Sequence, residues 1–82
     1  MEIRIESGIL YREIDDYLAT ISQYKSGDRY HGDGWVVTIL HRQMVSMGSI
    51  QLPRTLLLFQ GEEQSVTKQV AAFRLRFLSA GG

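Results

Sequence analysis

Two segments with helical periodicity, one near each end of the chain, enclose a stretch of β-branched and bulky apolar residues. In the first segment apolar side chains recur every three or four positions, and polar side chains fill the opposite face. This pattern predicts a helix over Gly8–Tyr24, with the Ser7 hydroxyl accepting a hydrogen bond from an N–H of the first turn. Gly27 is placed to end the segment.

The second segment follows Gly61. Glu62 and Glu63 suit the positive end of a helix, so the helix is predicted to begin there. Gly81 can supply the left-handed residue that closes it. One face of this predicted helix carries Val66, Val70, Phe73 and Phe77.

Three stretches read as strands. Met1–Glu6 alternates apolar and charged residues, which predicts a strand with one buried and one solvated face. Trp35–Arg42 and Arg54–Gln60 are rich in β-branched and large apolar residues, which predicts two further strands.

The segment Gln43–Pro53 is ambiguous. Gly48-Ser49 has the composition of a turn, and Val45–Met47 or Ile50–Leu52 can form short strands beside it. Pro53 lacks an amide donor, so it is expected at the start of a strand or at a sheet edge.

These elements predict an α+β fold in the order β-α-β-(β)-β-α. We expect a two-layer sandwich in which a mainly antiparallel sheet of three to five strands carries both helices on one face. The 82 residues predict a single domain, 1–82, and 44% apolar composition is sufficient for a hydrophobic core.

Charge and composition narrow the classes of function. Nine basic residues balance nine acidic ones, whereas nucleic-acid binding usually requires a basic excess, so no nucleic acid is expected. The longest apolar run is Leu56–Phe59, far short of the roughly 18 residues that cross a membrane. The lack of cysteine and of a signal-peptide pattern fits a soluble protein of the reducing cytoplasm.

The stretch Gly27–Trp35 crowds glycine, aspartate and histidine, and it is interpreted as turns. Its aspartates, Asp28 and Asp33, lack the alternating spacing of a calcium loop, and its glycines precede a strand where a dinucleotide site needs a helix. The glycines permit positive φ, and Tyr30-His31 can form a short strand that pairs back onto Trp35. No metal and no cofactor are expected here.

Other reactive residue types do not form a catalytic pattern, so the protein is expected not to be an enzyme. His31 and His41 are too few for a metal shell. Ser65 and Lys68 match a Ser-x-x-Lys motif by spacing alone. The paired carboxylates Asp15-Asp16 and Glu62-Glu63 are adjacent on predicted helices and diverge by about 100°.

The chain length and the C-terminal Gly81-Gly82 resemble those of the ubiquitin-like sulfur carriers. In that family the terminal Gly-Gly carboxylate is adenylated and converted to a thiocarboxylate, so the resemblance implies such a role for Gly82. Those carriers begin with a β-hairpin before their helix, and their Gly-Gly follows a strand. Here a helix is predicted directly after the first strand and another before the tail, so the carrier is an alternative function.

A second alternative is a single-strand RNA-binding domain. Arg29-Tyr30, and Trp35 with Arg42 and Arg54, interleave aromatic and basic residues that could stack bases on an open sheet. The competing interpretation is that the single tryptophan belongs to the core.

The preferred function is a non-enzymatic interaction module, a homodimer or a subunit of a larger assembly, with the same chain or another protein as partner. Two helices cover only one face of a small sheet, yet Trp35–Leu40 and Leu56–Phe59 are apolar on both faces, which indicates burial on both. The sequence leaves open which face the helices cover. We take the expected interface to be Trp35, Val37, Ile39, Leu57 and Phe59.

Overall fold

The fold was obtained as a computed structural model, which describes residues 1–78. Five strands and two helices follow one another as β1 (Glu2–Ser7), α1 (Tyr11–Ile21), β2 (Tyr24–Ser26), β3 (Arg29–Gly32), β4 (Trp35–Met47), β5 (Ile50–Gly61) and α2 (Glu63–Leu78).

All five strands form one sheet in the order β1-β5-β4-β3-β2, and every neighbouring pair is antiparallel. β1 and β4 therefore run parallel to each other, with β5 between them. The α+β class and the antiparallel sheet with two helices are confirmed, and the strand count is the upper end of the predicted range.

Both helices pack on the same face of the sheet. Their buried side chains join the inward side chains of the strands in one cluster, with the Phe59 and Phe73 rings 5.7 Å apart in an edge-to-face arrangement. The cluster consists of Ile14, Leu18, Tyr30, Trp35, Val37, Ile39, Leu57, Phe59, Val66, Val70, Phe73 and Phe77.

Helix α1 is shorter at both ends than its apolar spacing predicts. Ser7 is the last residue of β1, and its hydroxyl accepts a hydrogen bond from the Ile9 N–H at 3.1 Å in the link before the helix. At the other end Tyr24 lies in β2, where its ring stacks on that of His31 at 4.4 Å. The spacing of Tyr24 fits both a helix and an outward position on a strand, so periodicity could not separate the two.

The Gly27–Trp35 stretch forms turns, as interpreted from the sequence. Gly27-Asp28 joins β2 to β3, and Asp33-Gly34 joins β3 to β4. Gly27 and Gly34 have positive φ, but Gly32 does not. Gly32 is needed for space instead, because a Cβ there would run into the Trp35 indole.

The ambiguous Gln43–Pro53 segment completes one long hairpin. β4 and β5 pair from Trp35–Gly61 out to Met47–Ile50, and Gly48-Ser49 forms the turn with Gly48 at φ 63°. A register shift between Ile39 and His41 accommodates Leu40 as an extra residue in β4.

The far part of this hairpin extends beyond the rest of the sheet. Pairing with β1 ends at Thr55, and pairing with β3 ends at Thr38. We call residues 42–47 of β4 and 50–54 of β5 the arm; it has two strands only, in a molecule whose longest dimension is 42 Å. Pro53 lies in the arm, where β5 has no neighbour on its outer side, so the expected edge position is confirmed.

Candidate interaction surface

The five residues expected at the interface lie on the covered face of the sheet. Their side chains are at most 6% exposed and form part of the cluster beneath the helices. Residues on both faces of β4 and β5 are apolar, so the sequence pattern was compatible with burial of either face beneath the helices. The helices cover the face that carries these five residues. In the described chain the surface available to a partner is therefore the opposite face, and the residues buried here are Trp35, Val37, Ile39, Leu57 and Phe59.

The opposite face of the sheet carries an apolar stripe, which is interrupted by His41 and by the polar pair Gln43 and Arg54. Cross-strand pairing places Val36, Leu56 and Leu58 in its centre, where all three are half-buried. The stripe then continues outward along the arm, because alternate residues of β5 and their β4 partners keep the same face. We call these residues the open-face stripe: Val36, Val45, Met47, Ile50, Leu52, Leu56 and Leu58.

Along the open-face stripe, exposure is greatest in the arm. Met47 and Ile50, which pair with each other beside the turn, are each 60% exposed. Met44, which points to the other face, is 55% exposed. A two-stranded ribbon is only marginally stable in water by itself, so large apolar side chains on both of its faces indicate a contact surface.

The arm itself carries only positive charge. The sequence has no Asp or Glu between Asp33 and Glu62. The Arg54 guanidinium reaches Glu6 of β1 at 3.2 Å, and the Arg42 guanidinium lies 3.8 Å from the centre of the Tyr11 ring. Beside this second contact lies an open groove of about 510 Å³, lined by Leu10, Tyr11, Arg12, Arg42, Gln43, Met44, Pro53 and Thr55.

A polar cluster joins α1 to the β2–β3 hairpin. The Tyr30 hydroxyl donates a hydrogen bond to Asp15 Oδ1 at 2.5 Å, and Lys25 Nζ donates to the same oxygen at 2.9 Å. The hydrogen bonds from Tyr30 and then Lys25 lower the pKa of Asp15. Burial, followed by the Asp15 hydrogen bond, raises the pKa of Tyr30 far above its usual range. Asp15 is thus a structural acceptor held by two donors, and Asp16 is exposed to solvent.

The other residues considered from the sequence lie apart from one another. The His31 ring stacks on Tyr24, whereas the His41 ring lies 3.4 Å from the Gln43 side-chain oxygen. Over residues 1–78, no three His, Asp or Glu side chains come together as metal ligands would. Ser65 and Lys68 lie in the first turns of α2, and the glycine pair Gly81-Gly82 lies outside the described residues.

Two aromatic rings considered for base stacking are inside the molecule. Tyr30 and Trp35 are buried in the core cluster, so neither presents a ring face at the surface. Arg29, Arg42 and Arg54 are exposed, but without these rings they do not form the expected stacking platform.

The fold and this surface define a small α+β protein that presents a sheet face and an arm. No helix within residues 1–78 is long and apolar enough to cross a membrane. The chain belongs to the family described as archaeal MoaD-like protein, which matches residues 2–82. Searches of curated proteins and of solved structures give no match.

Proposed function

We propose that this chain is a non-enzymatic, cytoplasmic interaction module that associates with a second copy of itself through the β4–β5 arm. The observation that carries the proposal is the exposure of Met44, Met47 and Ile50 on a two-stranded ribbon beyond the body of the sheet. Leaving such side chains in water forgoes roughly 1.5–3 kcal/mol for each one that a partner could bury. Membership of the MoaD-like family supports a role with protein partners in general.

A membrane surface fits the arm less well than a protein does. Both outer edges of the arm carry backbone amides or carbonyls with no strand beside them. Hydrocarbon leaves such groups without hydrogen bonds, at several kcal/mol for each group. A protein partner can satisfy them and cover the apolar side chains at the same time.

The test is sedimentation equilibrium of the chain alone at ten micromolar, where we expect a dimer. Met44→Asp places a charge in the contact and should raise the dimer dissociation constant at least tenfold. Leu75→Asp is the matched control, because Leu75 is an apolar residue that is 77% exposed but belongs to helix α2 and not to the arm. A monomeric wild-type chain, or equal effects of the two variants, would contradict the proposal.

The sulfur carrier is the second candidate function, because the family is named after a ubiquitin-like β-grasp protein. The described topology differs from that of such carriers at both ends. Helix α1 follows β1 directly, without a preceding hairpin, and the tail follows helix α2 where a carrier has a strand. The carrier further requires Gly82 to bear the terminal carboxylate.

We expect deletion of Gly81 and Gly82 to leave both the melting temperature and self-association unchanged. The measurement for the carrier is intact-mass spectrometry of the chain purified from its native host. Replacement of the terminal hydroxyl by a thiol, as in a thiocarboxylate, would establish the carrier and displace the interaction module as the primary role.

A further inference from the structure

The outer edges of the sheet differ in how well they are protected against pairing with another strand. β1 carries charged side chains at alternate positions, Glu2, Arg4 and Glu6, and β2 has only three residues. Charge and short length are two common ways of blocking edge-to-edge contact. These edges are therefore poor sites for strand addition.

The two outer edges of the arm can be compared residue by residue, because the direction of the backbone groups is fixed. The Gly61 N–H donates to the Met1 carbonyl, and the Met1 amine donates to the Gly61 carbonyl, so Gly61 directs both of its backbone groups away from β4. Alternate residues of an antiparallel strand point the same way. Counting back along β5 in steps of two reaches Pro53 and Gln51.

Pro53 lies at an outward-facing position of β5, so its missing N–H costs the β4–β5 ladder nothing. It removes one of the few donors on that edge of the arm, and a Cβ added at Gly8 would lie 3.9 Å from its carbonyl oxygen. The β5 edge is therefore also protected.

The β4 edge of the arm is the exception. In an antiparallel pair, residues directly opposite each other both point outward or both point inward. The residues opposite Thr55, Pro53 and Gln51 are Arg42, Met44 and Ser46, so these three direct their N–H and C=O groups to the free edge. This edge has no proline and one arginine, and within residues 1–78 no hydrogen bond reaches those outward groups.

We infer that a second copy of this chain adds to the free β4 edge of the arm, antiparallel, about a twofold axis at Met44. In this register Arg42 of one copy opposes Ser46 of the other, and Met44 opposes its own counterpart. Each of the three opposed pairs exchanges two backbone hydrogen bonds. The two guanidinium groups of Arg42 lie at opposite ends of the contact, so like charges do not meet.

A twofold axis perpendicular to the sheet also determines where the two open-face stripes lie. Such an axis leaves both stripes on the same side of one continuous sheet and brings Val45 of each copy beside Gln43 of the other. The Met47–Ile50 end of each arm then reaches His41 of the other copy, where pairing with β3 has ended and the edge of β4 is free. The two-stranded arms become a four-stranded unit, which is stable where two strands are marginal.

This inference rests on the proposed self-association, and its test separates the two. Ser46→Pro removes an outward donor from the β4 edge without removing a donor of the hairpin. Gln51→Pro is the matched control, because Gln51 is the exposed residue directly opposite and makes the same change on the β5 edge. We expect Ser46→Pro to raise the dimer dissociation constant at least tenfold in sedimentation equilibrium, and Gln51→Pro to change it less than twofold.

Hydrogen exchange of the wild-type chain gives a readout that does not depend on how a variant folds. The amides of Met44 and Ser46 should exchange more slowly as concentration rises through the dimer dissociation constant, while the Gln51 amide should not. A dimer without this protection would overturn the edge contact and leave self-association standing. A wild-type monomer would overturn both.

Discussion

At the scale of single residues, the hydrogen bond between Tyr30 and Asp15 joins strand β3 to helix α1. In the sequence Asp15 stands out only as one of two adjacent carboxylates on a predicted helix. It is in fact the acceptor for a buried phenol on β3, and Lys25 of β2 completes the contact. The sequence gives no signal for this, because the partners are 15 and 10 positions away and meet only when the hairpin folds against α1.

Tyr30→Phe tests the stabilisation that this contact provides. The hydrogen bond from Tyr30 lowers the pKa of Asp15, so the stability that it contributes is fully present above the unfolded-state pKa near 3.8. This stability is lost as the pH falls through the lower folded-state pKa. We expect the variant to be less stable by about 1 kcal/mol at neutral pH, after allowing for partial exposure of the carboxylate. Chemical denaturation between pH 2 and 7 should show this difference shrinking below about pH 4.

Asp15→Asn provides the control, because the amide oxygen still accepts from Tyr30 but carries no charge. Its stability should lack the acid-dependent step that Asp15 gives the wild-type chain. A constant difference between Tyr30→Phe and wild type across the whole pH range would show that the hydroxyl does not act on the Asp15 charge.

At the scale of elements, most strands and both helices were predictable from the sequence, whereas the arm and the covered face of β4 and β5 were not. β1 and α2 begin within one residue of the predicted positions, since alternation and a pair of glutamates define them. The arm was ambiguous because Gln43–Pro53 mixes apolar and polar residues without a covered face. The sequence does not show which face of β4 and β5 is buried. Neighbouring residues that face opposite sides of the sheet are equally apolar, as are Val36 and Val37 in β4 and Leu57 and Leu58 in β5.

Gly32→Ala tests how the β3–β4 hairpin is packed. The added methyl group would run into the Trp35 indole, which is fixed in the core, so we expect a loss of about 1–3 kcal/mol in the free energy of unfolding. Gly8→Ala is the control, because its new methyl group would meet only the Pro53 carbonyl oxygen at an ordinary 3.9 Å. Thermal denaturation of both variants provides the measurement, and equal melting temperatures would contradict this packing role.

At the scale of the whole molecule, the need of one sheet face for a partner stays a prediction. The surface expected to contact that partner differs from the one inferred from the sequence. The five residues expected at the interface from the sequence are ones that the helices cover. The structure leaves the open-face stripe and the arm as the exposed apolar surface, with Met44, Met47 and Ile50 most exposed. Periodicity could not reveal the arm, because its extension past β1 and β3 depends on the lengths of three different strands.

The position of Pro53 also bears on how large an assembly of this chain can become. If both edges of the arm were free, each added copy would present a further free edge to the next copy. This is the geometry of fibre growth. Because Pro53 protects the β5 edge, only the β4 edge of each arm can accept a second strand. A twofold pair occupies the β4 edges of both copies. In the proposed dimer this proline protects the remaining edge of the arm, so we expect the association to end at two copies.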